Sequence, residues 1–105
     1  MFTKLCATIE VPPGEMRQFD LKEEEVLVVN INGELYCLDG RCSHAGAPLY
    51  EGVLDGDILT CPWHYSQSNI RDGSVLKGPA KEKLRIHRTD IRNGQLFVEV
   101  NEPKH

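Results

Sequence analysis

Val26-Leu27-Val28-Val29-Asn30-Ile31, then Asn32-Gly33, then Leu35-Tyr36-Cys37-Leu38 is the stretch that decides the fold class. Two strand-forming runs meet across a dipeptide that accepts φ > 0 at both positions, as a tight type I′ hairpin turn requires. The pattern recurs near the end of the chain, where Leu84 to Ile91 faces Gln95 to Val100 across Asn93-Gly94. There Leu96, Val98 and Val100 alternate with Phe97 and Glu99, the period of two expected when one strand face packs on a core. Asp39-Gly40, Asp55-Gly56 and Asp72-Gly73 mark further turns, and no segment carries a helical stripe. Pro12-Pro13-Gly14 reads as a loop between a strand at 3–7 and one at 16–21, because proline has no N–H to give to a ladder. The chain is predicted to be all-β, built of antiparallel sheets forming a partly open sandwich.

Working outward, the middle of the chain, about 41–79, holds most of the glycines and half of the prolines and has weaker strand character. It reads as a loop-rich subdomain inserted between two β portions of a single domain spanning 1–105. A domain of 105 residues buries only roughly 60 to 70% of its unfolded surface, so a bound cofactor would add stability. The longest strongly apolar run, Val26 to Val29, falls far short of the ~20 residues that cross a bilayer. The opening Met1 to Cys6 has neither a signal core nor an Arg-rich transit pattern, which predicts a cytoplasmic protein with no membrane partner. Twelve basic against sixteen acidic side chains give a net charge of −4, which disfavours nucleic acid and favours a protein partner or small ligand. Residues 1–39 carry 3 basic and 8 acidic groups and 77–92 carry 6 and 2, an asymmetry read as solvated strand faces. Glu23-Glu24-Glu25 reads as a solvated turn.

The four cysteines, Cys6, Cys37, Cys42 and Cys61, are too sparse for a disulfide scaffold, and two of them sit in tight spacing with histidine. Cys42-Ser43-His44, sixteen residues, then Cys61-Pro62-Trp63-His64 gives two thiol-plus-imidazole pairs, each able to chelate a metal centre. Thiolate and imidazole together leave zinc or an iron-sulfur cluster as candidates. A Cys-x-His bite is tight for two ligands on one tetrahedral zinc ion, whose usual pairs are spaced more widely. In a two-iron cluster the two members of each pair can serve different metals, which suits the short spacing. Cys6 and Cys37 lie in predicted strands and read as buried apolar fillers. His87 alternates out of phase with Leu84 and Ile86 and reads as a surface residue.

Cys-x-His, about sixteen residues, Cys-Pro-x-His, then Gly78-Pro79 resembles the pattern of Rieske-type [2Fe-2S] ferredoxins over essentially the whole chain. That resemblance implies one [2Fe-2S] cluster, with Cys42 and Cys61 on one iron and His44 and His64 on the other. It implies antiparallel sheets with the cluster at two loop tips, Gly46 and Pro48 turning the first loop, and Gly78-Pro79 in a third, covering loop. Trp63 and Leu49 read as core packing, with an apolar collar beside the cluster as the competing reading. High-potential members of the family join an extra Cys in each loop by a disulfide. Ala47 and Trp63 stand at those positions here. Such members also place a serine two residues and a tyrosine four residues after the second histidine; Ser66 matches and Ser68 does not. With one hydroxyl donor of two, the expected potential lies in the lower half of the Rieske range, roughly −150 to +100 mV. Tyr65-Ser66-Gln67-Ser68 also departs from the usual Gly-x-x-Phe after the second histidine.

The resemblance implies a one-electron carrier passing electrons from a reductase to a terminal redox enzyme such as an oxygenase, with no catalytic residues of its own. The competing readings are a small regulatory subunit like those of nitrite reductases, or a zinc-stabilised β interaction module. No Ser-His-Asp set, phosphate loop or catalytic carboxylate pair can be argued from spacing.

Overall fold

The computed structural model describes residues 2–21, 24–41, 48–63, 65–77 and 83–100. Among these described residues, ten strands follow in chain order: β1 (Thr3–Ala7), β2 (Met16–Leu21), β3 (Glu24–Ile31), β4 (Glu34–Asp39), β5 (Val53–Asp55), β6 (Ile58–Thr60), β7 (Gln67–Asn69), β8 (Val75–Lys77), β9 (Ile86–Arg92) and β10 (Gln95–Glu99). Single 3-10 turns at Thr8–Glu10 and Leu49–Glu51 interrupt them. The strands form a six-stranded sheet, ordered β1-β10-β9-β4-β3-β2, and a four-stranded sheet, ordered β5-β6-β7-β8. All pairings are antiparallel. The small sheet falls entirely between β4 and β9 in the chain.

Both expected hairpins form. Asn32 and Gly33 have φ of 53° and 96°, and Asn93 and Gly94 have 50° and 74°, positive at both turn positions in each case. Asp39-Gly40 differs from its expectation, because β4 runs through Asp39 and Gly40 shows no positive φ. The backbone is close there: a Cβ on Gly40 would lie 3.1 Å from the Glu25 carbonyl, whose oxygen accepts the Gly40 N–H at 2.9 Å, so a larger residue would need Glu25 to give by a few tenths of an ångström.

β3 is buried along Val26–Ile31, and its alternating side chains feed two separate cores. Leu27, Val29 and Ile31 join Leu38, Leu49, Leu59, Cys61, Ile70 and Leu84 between the two sheets. Val26 and Val28 join Cys6, Val11, Leu21, Leu35, Cys37, Leu96 and Val98 on the opposite face. Each fully buried aliphatic side chain is worth roughly 1.5–3 kcal/mol, so a sheet covered on both faces recovers part of what a short chain lacks. This double coverage corrects the reading of His87 as a surface residue. His87 pairs with Cys37 across β4 and β9, so it shares the second core's face and is 3% exposed. The expectation that Cys6 and Cys37 are buried holds, at 4% and 0% exposure.

The small sheet is fastened to the large one by close packing and by one arginine. A Cβ on Gly73 would lie 2.2 Å from the Leu84 carbonyl oxygen, and the Leu84 N–H donates to the Gly73 carbonyl at 3.0 Å. Arg71, just after β7, donates to the Tyr36 hydroxyl on β4 at 2.7 Å and to Asp57 in the β5–β6 turn at 3.3 Å. These contacts lie at the Ile58–Asn69 end of the small sheet, opposite the Thr60–Gln67 end that Cys61 follows.

Candidate metal centre

Of the four candidate ligands, Cys61 lies among the described residues; Cys42, His44 and His64 lie outside them, as do Gly46, Ala47, Gly78 and Pro79. Cys61 follows β6 directly and is 2% exposed. Its N–H donates to the Ser66 carbonyl at 2.8 Å, and the Tyr65 N–H donates back to the Cys61 carbonyl at 3.2 Å. These two bonds close a tight turn over 61–66, and Tyr65 pays for it with a left-handed φ of 59°. A residue other than glycine in that region costs roughly 1–2 kcal/mol, a cost that the glycine expected here from the Rieske resemblance would avoid. The sequence showed the substitution at Tyr65 but not the backbone conformation it must hold.

Ser66 is buried, 2% exposed, and Ser68 on β7 is 7% exposed. The two hydroxyl-bearing residues after the second ligand pair therefore lie inside the structure. Trp63 is 53% exposed, which corrects its reading as core packing: the turn carries its ring outward, and only Leu49, 2% exposed, belongs to the core.

The first loop is anchored at both described ends. Arg41 and Pro48 form an antiparallel bridge, and the Leu49 N–H donates to the Gly40 carbonyl at 2.9 Å. The chain thus leaves at Arg41 and returns at Pro48 on one spot. Leu49, which closes that loop, and Cys61, which opens the second, belong to the same apolar cluster. The two segments carrying the Cys-His pairs are rooted on one core.

Charged groups surround the root of the first loop. Glu25 takes two hydrogen bonds from the Arg41 guanidinium, at 2.5 and 3.2 Å. Glu24 pairs with Arg85 at 2.8 Å, and both Asp39 carboxylate oxygens lie 3.1 Å from Arg85 Nε. His87 Nε2 is 3.1 Å from Asp39 Oδ1. Burial works against the charge on Asp39, but the hydrogen bonds from His87 and Arg85, with the Arg85 charge, outweigh it and hold the carboxyl below its usual range. Glu24 and Glu25 are therefore paired strand residues, which corrects their reading as part of a solvated turn; Glu23 lies outside the described residues. The sequence signal for this network was the opposite charge of 1–39 and 77–92, part of which meets here.

A buried thiol at the head of a hydrogen-bonded turn, beside buried hydroxyls and on the core that also anchors the other Cys-His segment, fits an iron-sulfur group. The sequence model of the Rieske [2Fe-2S] domain family matches residues 1–89. The biphenyl dioxygenase ferredoxin subunit of Pseudomonas sp. (strain KKS102) is 34% identical over 101 residues, covering 95% of this chain and 93% of the relative. The ferredoxin component of the p-cumate 2,3-dioxygenase system of Pseudomonas putida is 38% identical over 98 residues, covering 91% and 83%. Among solved structures, a chain in the complex of reduced oxygenase and oxidized ferredoxin of carbazole 1,9a-dioxygenase superposes with a TM-score of 0.88 at 28% identity, covering 99% of this chain and 96% of the other. The Sphingomonas yanoikuyae B1 ferredoxin superposes with a TM-score of 0.86 at 27% identity, covering 98% and 100%. The all-β fold, the match along most of the chain and the ferredoxin relatives agree: this chain belongs to the Rieske [2Fe-2S] domain family and carries one [2Fe-2S] cluster.

Proposed function

We propose that the chain is a one-electron carrier that takes an electron from a reductase and delivers it to a terminal oxygenase in the cytoplasm, with 1–105 acting as a single domain and about 41–79 as its cluster-binding part. In this reading Cys42 and Cys61 hold one iron and His44 and His64 the other. The cluster, when bound, supplies reversible one-electron storage; the protein's residues supply its support and its access to partners. The Cys61 turn carries the proposal: a thiol buried on the core sits within three residues of an exposed Trp63 ring and four of an exposed Tyr65 ring. A site buried beneath and open at its rim suits electron transfer through a brief contact, for which interfaces below about 1,200 Å² are typical. The ferredoxin subunits of the biphenyl and p-cumate dioxygenase systems support the oxygenase as acceptor.

Gly46, Gly78 and Pro79 are assigned to the loops around the cluster, and Ser66 to hydrogen bonding near its sulfurs. Mixing the dithionite-reduced protein anaerobically with the oxidised oxygenase component of a biphenyl dioxygenase in a stopped-flow spectrometer tests the function. Reoxidation that accelerates with oxygenase concentration is expected. Reoxidation no faster than in buffer, with this oxygenase and with that of the p-cumate system, would contradict the carrier role.

A further inference from the structure

The ladder joining β4 to β9 is short. Only Cys37 with His87 and Leu38 with Ile86 are paired, against six pairs between β3 and β4. Where it ends, one residue takes over. The Asp39 N–H donates to the Arg85 carbonyl at 3.1 Å, while its carboxylate holds Arg85 Nε with both oxygens and His87 Nε2 with one. The His87 side chain is fully buried, so its ring depends on partners inside the protein. Arg85 extends the grip to Glu24 at the start of β3. Gly40 and Arg41, the next two residues, are held from the other side by Glu25. A chain leaving Asp39 reaches Cys42 in three residues, a span of at most about 11 Å. Partly buried charged pairs cost desolvation that apolar packing would avoid.

We infer that Asp39 is a positioning residue for the cluster: by joining β4 to Arg85 and His87 it fixes the point from which the segment bearing Cys42 departs, and so the chain's hold on the iron. This rests on the reading of Cys42 as a ligand.

The test uses the cluster-loaded protein. Bleaching of the visible absorbance in excess EDTA is timed for the parent, Asp39→Asn, Arg85→Gln, the double variant, and Val98→Ala, which makes no contact with the Asp39 carboxylate and lies in the core that does not include Leu49 and Cys61. Asp39→Asn and Arg85→Gln should each lose the cluster about tenfold faster than the parent, equivalent to about 1.4 kcal/mol on the barrier. The double variant should be accelerated by less than the about hundredfold that two independent tenfold effects would give, because the single changes share the Asp39–Arg85 contact. The EPR g-values of Asp39→Asn should shift, while those of Val98→Ala stay as in the parent. Should Asp39→Asn fail to accept the cluster, Arg85→Gln carries the same comparison. Parent-like g-values, with cluster loss no faster than in Val98→Ala at an equal drop in melting temperature, would overturn the inference. Cys42→Ser, measured alongside, separates the two claims: retention of the parent spectrum there refutes the ligand reading, whatever Asp39 does.

Discussion

Replacing Gly52 by alanine isolates a steric demand at the base of the proposed centre. Gly52 has φ of −81°, which any residue adopts, so the cost is not backbone strain. A Cβ there would lie 2.1 Å from the Thr60 carbonyl oxygen and 3.2 Å from that of Leu49. An ordinary contact, at 3.4 Å or more, requires the first gap to widen by at least about 1.3 Å, and interiors packed to crystal density resist such a shift. Two adjustments are available. β5 can withdraw from β6 where Val53 pairs with Thr60, or the turn closed by the Gly52 N–H on the Leu49 carbonyl at 2.9 Å can open. Overpacking of about 1–3 kcal/mol plus one weakened hydrogen bond of about 1 kcal/mol gives a loss of about 2–4 kcal/mol.

Urea unfolding of the cluster-loaded protein by circular dichroism should show it as a midpoint lower by about 1–4 M, for a slope between about 1 and 2 kcal/mol per M. Gly56→Ala is the comparison. Gly56 has φ of +61° and nothing within 4 Å of the added carbon, so it should lose only the backbone cost of about 1 kcal/mol. Gly52→Ala losing less than Gly56→Ala would refute the steric reasoning. Because Thr60 precedes Cys61, the larger effect should bring earlier loss of the cluster absorbance.

The reduction potential should fall between about −150 and +100 mV, since the short Ser68 stands where the tyrosine of high-potential members would be; a spectroelectrochemical value above that window contradicts the argument. His64→Ala should abolish the Rieske EPR signal, and survival of an unchanged signal would refute the assignment of His64. The Asp39 carboxyl is held below its ordinary range, so its contribution is complete above the unfolded value near pH 4 and disappears as pH falls through the lower folded value. The gap in urea midpoint between parent and Asp39→Asn should therefore be full at pH 5 and shrink below pH 4; a gap that widens on acidification would reverse the sign. The Cys37 thiol is pushed up to about 12 by burial, then by nearby Cys6 and Asp39. Iodoacetamide at pH 8 should leave it unmodified in the folded protein, and mass spectrometry detecting prompt labelling would contradict the packing.

The strands of the large sheet were legible because their signals are local. Asn32-Gly33 and Asn93-Gly94 name their turn type, Pro12-Pro13 breaks a ladder, and β1 and β2 run over the residues expected. The small sheet was not legible strand by strand. Its members are three residues long, too short for a period of two to repeat, and it showed only as a loop-rich composition between Arg41 and Pro79. His87 was misread because alternation assumes one wet face, whereas β3 and β4 are covered on both. Asp39 and Glu24-Glu25 were misread for a shared reason: each looks like part of a turn in isolation and lies in a strand held by a partner distant in sequence. The Cys-x-His and Cys-Pro-x-His pairs stood out in the sequence as a proposed ligand pattern, because metal chemistry constrains both residue type and spacing. What the structure adds is the turn that sets Cys61 against the core and the left-handed backbone at Tyr65.

Low-temperature EPR of the anaerobically purified protein, before and after dithionite, with iron and zinc quantified on the same sample, tests the central claim most directly. The account predicts silence before reduction, then a rhombic signal whose average g lies below that of all-cysteine clusters, with two irons per chain. No signal after reduction, with one zinc per chain in place of iron, would contradict it.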